Sequence, residues 1–176
     1  IPIPSPVAGN NGPLCDGATL NLTASTVQNA TYTWTGPNGF SSNLQNPVIP
    51  NAGLTEAGTY SVIANVTGCN SSNPSITTVV INPIPSITAG SNSPICDGSD
   101  LNLTASNYNG AAYSWTGPNG YTSSQQNPTI TGATPAQSGT YTVVATALGC
   151  TSTSPAATVV TINAIPPSPV PGSNSP

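Results

Sequence analysis

Residues 55–64, Thr-Glu-Ala-Gly-Thr-Tyr-Ser-Val-Ile-Ala, return 81 positions later as Ala-Gln-Ser-Gly-Thr-Tyr-Thr-Val-Val-Ala at 136–145. The same shift carries Cys15 to Cys96, Leu22 to Leu103, Trp34 to Trp115, Ile49 to Ile130 and Cys69 to Cys150. Trp34 to Gly39, Trp-Thr-Gly-Pro-Asn-Gly, recurs unchanged as Trp115 to Gly120. An internal repeat without insertion or deletion means one fold used twice, each copy closing its own core. The sequence divides as repeat 1 over 1–82, repeat 2 over 83–163, and 164–176 as a linker and the start of a third repeat. That third start rests on Ile165-Pro166-Pro167-Ser168 and Gly172 to Pro176, which echo Ile84-Pro85-Ser86 and Gly90 to Pro94. The chain reads as a mature or excised piece of a longer array.

Within one repeat no segment shows helical periodicity with caps, so no helix is expected. Short Thr/Val/Ile runs lie between Pro and Gly punctuation, the pattern of an all-β fold. Ile3 to Ala8 reads as an edge strand, because prolines lack a ladder donor. Thr19 to Ala24 alternates, with Leu20, Leu22 and Ala24 inward. Thr31 to Thr35 puts Tyr32 and Trp34 on one face, and Asn38-Gly39 is a hairpin turn signal. Phe40 to Ser42, Pro47 to Pro50, Tyr60 to Val66 and Ser75 to Ile81 follow. About seven strands in some 80 residues predict a two-sheet sandwich. Asn82-Pro83-Ile84-Pro85 and Asn163 to Pro167 read as stiff joints of an extended array.

Composition narrows function by exclusion. The chain has no Lys, Arg or His, and its four acids are Asp16, Glu56, Asp97 and Asp100. Charged residues make up 2% of it, against about 25% in an ordinary domain. Without a cation, neither phosphate neutralisation on nucleic acid nor docking to anionic lipid is available. Solubility must come from Thr, Ser and Asn, whose side chains do not titrate. No run of about 18 apolar residues is present, so no transmembrane helix or direct membrane insertion is expected.

The residues Ile49, Ala52, Glu56, Gly58 and Tyr60, and again Ile130, Ala133, Gln137, Gly139 and Tyr141, resemble the strand E to strand F passage of immunoglobulin-like domains. The resemblance implies a tyrosine corner at Tyr60 and Tyr141, whose hydroxyls bond back to nearby backbone. It implies a buried strand-C tryptophan at Trp34 and Trp115. Antibody domains place cysteines where this chain has Val62 with Leu22 and Val143 with Leu103, so apolar pairs stand in for the inter-sheet disulfide. Leu22, Trp34, Tyr60, Val62, Leu103, Trp115, Tyr141 and Val143 are therefore the expected core. The Cys-Asp-Gly, Trp-Thr-Gly-Pro-Asn-Gly, Gly-Thr-Tyr and Gly-Cys segments are similar to tandem immunoglobulin- or PKD-like repeats of type IX-secreted surface adhesins of gliding Bacteroidetes. That likeness implies an extracellular or cell-surface location and a structural or adhesive role.

Four cysteines, two per repeat and with neither His nor Cys-x-x-Cys beside them, point to disulfides rather than zinc. Within-repeat bonds Cys15–Cys69 and Cys96–Cys150 are the expectation; each would contribute about 4 kcal/mol in the chain-entropy account. The family's topology strains that pairing, because it sets Cys15 and Cys69 near opposite ends of a sandwich. A bond between neighbouring repeats, Cys15–Cys150, is the alternative.

No site for catalysis is expected: no His or Lys can serve as a base, and Glu56 becomes Gln137 in the second copy. Asp97 and Asp100, beside Asn102, offer too few oxygens for calcium, so no metal or cofactor is expected. Asn21, Asn29, Asn65, Asn70 and Asn102 head Asn-x-Ser/Thr triplets, in which N-glycosylation competes with chance occurrence. Phe40 and Tyr121, just after the Asn-Gly turns, are the candidate ligand contacts. The expected partners are neighbouring repeats of the same chain, with surface glycans and self-association into fibres as further options.

Overall fold

The structure is a computed structural model that describes residues 5–169 apart from Ser72. It separates into two compact units, Ile1–Ile84 and Pro85–Pro176. Ile3 and Pro4 of the expected first strand lie outside the described residues, as does most of the expected third repeat, 170–176.

Unit 1 runs β1 (Ala8–Asn10), β2 (Leu14–Cys15), β3 (Ala18–Ala24), β4 (Thr31–Thr35), β5 (Ser41–Ser42), β6 (Val48–Ala52), β7 (Gly58–Val66), β8 (Cys69–Asn70), β9 (Ser75–Val79) and β10 (Ile81–Asn82). Counting β1 with β2, and β8 to β10 together, gives the seven strand positions expected. One sheet has the order β1-β3-β6; the other has β5-β4-β7, with β7 pairing both β8 and β9. The first strand leaves its sheet after Asn10, and β2 then pairs in parallel with β10. Among the described residues, pairing on the first strand starts after Pro6, where Val7 accepts from the Ser25 N–H and donates to the Ser25 hydroxyl. The prolines before it have no N–H to offer a ladder.

Unit 2 repeats this with β11 (Ala89–Ser91), β12 (Ile95–Cys96), β13 (Ser99–Ala105), β14 (Ala112–Thr116), β15 (Thr122–Ser123), β16 (Thr129–Ala133), β17 (Gly139–Ala147), β18 (Cys150–Thr151), β19 (Ala156–Val160) and β20 (Ile162–Asn163). The only helical turns among the described residues are four of 3₁₀ type, three residues each. At the first of them Asn38 and Gly39 both have positive φ (53° and 71°). They are the two central residues of a tight turn closed by the Phe40 N–H on the Pro37 carbonyl, inside the five-residue loop 36–40, a conformation for which Asn-Gly is suited.

Period-2 alternation fills the space between the sheets. Leu20, Leu22 and Ala24 from β3 meet Tyr32 and Trp34 from β4, and Tyr60, Val62 and Ala64 from β7, in one buried cluster. Leu103, Trp115, Tyr141 and Val143 hold the same places in the cluster of unit 2. Trp34 and Val62 face each other across the β4–β7 ladder, as Trp115 and Val143 do across β14–β17.

The central strand β3 is longer than its neighbours, and side-chain amides continue the ladder where they leave. On one edge β1 ends at Asn10; Asn11 then accepts from the Asn21 N–H (2.8 Å) and donates to the Thr19 carbonyl (3.0 Å). On the other edge the Asn46 amide oxygen accepts from the Ala24 N–H (3.0 Å), and the Gln45 amide donates to the Ala24 carbonyl (2.8 Å). Unit 2 repeats these bonds through Asn92, Asn127 and Gln126. The backbone carbonyl of Gln45 also accepts from the Trp34 indole (3.1 Å), so the same dipeptide serves both core and edge.

These roles separate two isosteric substitutions. Asn46→Asp keeps an acceptor for Ala24 and should leave stability nearly unchanged near neutral pH. Gln45→Glu removes the donor and faces a carboxylate to the Ala24 carbonyl; it should cost about 1–3 kcal/mol. Urea denaturation of the two variants measures the difference.

Candidate functional site

The Gly-x-Tyr step builds a dense polar corner at one end of each sandwich. Tyr60 begins the buried face of β7 and its ring lies against Gly36; a Cβ there would collide with the ring. Its hydroxyl donates to the Glu56 carbonyl at 2.9 Å, and that of Tyr141 to the Gln137 carbonyl at 3.0 Å. The turn between β6 and β7 is tied by the Glu56 carboxylate. One oxygen accepts from the Gly53 N–H (2.8 Å) and the other from the Asn38 amide (3.0 Å). The Asn38 bond first, then Gly53, holds this carboxyl below its ordinary range.

In unit 2 the Gln137 amide oxygen accepts from the Thr134 N–H at 2.8 Å, the same cap made without a charge. Asn119 turns instead to the Ala136 carbonyl (2.8 Å). The interchange of Glu56 and Gln137 follows from geometry, since the cap needs an acceptor and not an anion. Burial, and secondarily the Glu56 charge, raises the Tyr60 hydroxyl above its ordinary pKa; burial, then Tyr121, does so for Tyr141.

Phe40 and Tyr121 stand directly over these corners. Phe40 meets Tyr60 edge to face with ring centres 5.4 Å apart, and Tyr121 meets Tyr141 at 5.5 Å. Both are half-buried against their cores. Beside Tyr121 lies an open polar hollow lined by Ser114, Ser123, Gln125 and Thr129 among others.

A second pinned tyrosine per unit is not apparent in the sequence. The Tyr32 hydroxyl accepts from the Val27 N–H (2.8 Å) and donates to the Ser25 carbonyl (3.2 Å). Tyr113 does the same with Tyr108 and Ser106. Its only sequence signal is recurrence at the repeat spacing with Ser seven positions before. Ser71, buried, accepts from the Ala64 N–H while its own N–H bonds the Ala64 carbonyl. Ser152 makes the same pair of bonds with Ala145.

The cysteines depart from the within-repeat expectation. Cys15 and Cys150 are disulfide-bonded, while Cys69 and Cys96 are exposed free thiols. Neither Cys15–Cys69 nor Cys96–Cys150 forms. In unit 1 Cys15 pairs with Asn82, just beyond Val79, whose partner is Gly58 at the start of β7. Cys69 pairs with Val66 at the other end of that nine-residue strand. At ~3.3 Å per residue those ends are about 26 Å apart, and a disulfide needs Cα atoms within about 7 Å.

The Asp100 carboxylate accepts from the Gly132 N–H (3.0 Å). Among the described residues no three His, Cys, Asp or Glu gather as a metal site, and no helix is long and apolar enough to cross a membrane.

Residues 84–165 match the family model described as "Ig-like domain CHU_C associated". Solved structures of the same architecture include murine CEACAM1b, 10% identical, covering 92% of this chain and 100% of that one with a TM-score of 0.50. The I-band fragment I67–I69 of titin is 10% identical over 91% of this chain and 66% of its own, at a TM-score of 0.55. Extracellular domains 3–5 of Drosophila OTK are 12% identical over 92% and 60%, at 0.54. The fold is immunoglobulin-like. Among curated proteins none matches the sequence. Identities this low carry the architecture alone; such a sandwich is consistent with an extracellular adhesive or structural module.

Two substitutions test the corner. Tyr60→Phe should lower the stability of unit 1 by about 1–2 kcal/mol, the worth of one lost buried hydrogen bond, as read by denaturant unfolding. A depressed carboxyl pKa stabilises above the unfolded value and ceases to do so as pH falls through the folded one. Wild type should therefore exceed Glu56→Gln in thermal midpoint most clearly near pH 7. The difference should shrink as pH drops below about 4, while unit 2, capped by Gln137, should show no such change.

Proposed function

We propose that this chain is a structural segment, part of the stalk or fibre of a secreted or cell-surface protein, and that it is not an enzyme. The observation that carries the reading is the 81-residue repetition of one sandwich whose polar side chains are engaged in holding it together. A catalytic site would need a base and a cluster that recurs or stands apart. The chain has no His or Lys, and its one corner carboxylate is an amide in the second copy. The "CHU_C associated" family match and the motif resemblance to type IX-secreted adhesin repeats support an outer-surface placement.

Phe40 and Tyr121 serve packing in this reading, because each ring is set edge-on against a corner tyrosine. A surface of hydroxyls and amides suits a spacer that must keep its form through changes of salt and pH, and it gives trypsin-like proteases no Lys or Arg to cleave. Neighbouring repeats of the same chain are the partners this role requires, and the Pro-rich joint 82–85 is the element that would stiffen it.

Small-angle scattering on arrays of one, two and four repeats tests the proposal. Maximum dimension should grow in proportion to repeat number and stay constant from low to high salt. Particles whose radius instead grows as a compact globule would overturn it.

A further inference from the structure

Among the described residues β6 and β16 are the outer strands of their sheets, and one side of each pairs with no strand. Such an edge is a template for another chain, and proteins blunt it with proline, charge or a bulge. The two repeats differ at this edge. In a trans peptide the C=O and the next N–H point opposite ways, so the bonds made to the inner strand show which groups face out. The Leu22 N–H bonds the Pro47 carbonyl in unit 1, and the Leu103 N–H bonds the Pro128 carbonyl in unit 2. The N–H groups of Val48 and Thr129 therefore point away from their sheets. Ladder alternation about Ile49 and Ile130, which face Leu20 and Leu101, brings the next outward place to Pro50 and Thr131.

Pro50 has no N–H, so the edge of unit 1 is closed there. Thr131 has one. Its carbonyl faces out as well, because the Gly132 N–H turns inward to the Asp100 carboxylate (3.0 Å). Thr129 and Thr131 are both exposed, and the Thr129 hydroxyl is held to its own sheet by the Asn102 amide oxygen (2.8 Å). A register shift opposite Ser99 and Leu101 ends the regular ladder just past Thr131. The edge of the other sheet offers less: β15 has two residues, and Thr158 of β19 shares a hydrogen bond with Ser91 of β11 beside it.

We propose that β16 is a lateral pairing strand, on which a second copy of this chain lays its own β16 antiparallel about a two-fold axis through Ile130. The stretch is its own complement. Thr129 of one copy and Thr131 of the other exchange N–H to C=O bonds in both directions, and the symmetric exchange follows across the axis. A foreign strand would need a matching register; this one has it by symmetry. Residues 128–133 carry no charge. The nearest, Asp100 beside Gly132, falls at opposite ends of the pair, so no like charges meet. The inference concerns unit 2 alone and does not rest on the stalk reading.

The test uses the full chain with its exposed thiols, Cys69 and Cys96, capped by iodoacetamide so that oxidation adds no dimer. Sedimentation velocity from the micromolar to the millimolar range should show a monomer passing to a dimer. Thr131→Pro copies the residue that unit 1 carries at the same place, and it removes one donor from each copy. It should raise the dissociation constant roughly tenfold or more, while Thr131→Val, which keeps the N–H, should pair as wild type does. Amide hydrogen exchange on wild type should slow at Thr129 and Thr131 as concentration rises. A chain that stays monomeric throughout would overturn the proposal. So would a dimer that Thr131→Pro leaves equally tight, or one in which those two amides gain no protection, since either assigns the contact to another surface. Protection gained only on adding a synthetic Thr-Val-Thr-Val-Thr peptide would overturn it too, giving the edge to a foreign strand.

Discussion

The sandwich depends on how the long central strand is kept hydrogen-bonded after its neighbours have left it. A buried backbone N–H or C=O without a partner costs about as much as a lost hydrogen bond. On β3 the backbone partners stop short on both edges, and primary amides complete the pairing. A carboxamide presents one acceptor and two donors in a plane, the same groups as a peptide unit, so Asn11 and the Gln45-Asn46 dipeptide act as short lengths of strand. Serine does a related task at Ala64, where Ser71 supplies both a backbone and a side-chain bond. Ammonium and guanidinium groups offer donors only, and carboxylates acceptors only. A fold secured this way uses Asn and Gln where other proteins use ion pairs.

The two tyrosines of each unit extend this economy to the turns. Tyr32 gathers the loop between β3 and β4, and Tyr60 the turn between β6 and β7. Both rings lie in the same apolar cluster as Trp34. The valines at 62 and 143 stand where the resemblance to antibody domains would set a cysteine, and they pack directly against the tryptophans. Apolar packing fills the centre of the sandwich, while polar bonds join the sheets at the β1 edge, where the Asn10 amide donates to the Thr77 hydroxyl.

How much of this could be read beforehand follows from the range of each interaction. Alternation in Thr19 to Ala24, the Asn38-Gly39 turn and the Gly-x-Tyr step are local signals, and they located the strands and the corner. Among the described residues the first strand starts at Ala8, because Pro6 has no N–H for a ladder and pairing begins at Val7. The roles of Asn11, Gln45, Asn46 and Tyr32 depend on partners met only after folding, and an isolated amide in a polar loop looks like solvated surface. Only their recurrence at Asn92, Gln126, Asn127 and Tyr113 marks them. The within-repeat cysteine pairing is defeated by the distance that the expected topology already placed against it, the ~26 Å of β7 that separates Cys15 from Cys69.

The amide rungs also decide how the protein ages. Hydrolysis of the Asn11 carboxamide would leave a carboxylate, still able to accept from Asn21 but with no hydrogen to give Thr19. One half of the rung would survive and the other would become two oxygens facing each other. A chain with so few charges would thus acquire a damaging one from within, by loss of ammonia from an asparagine.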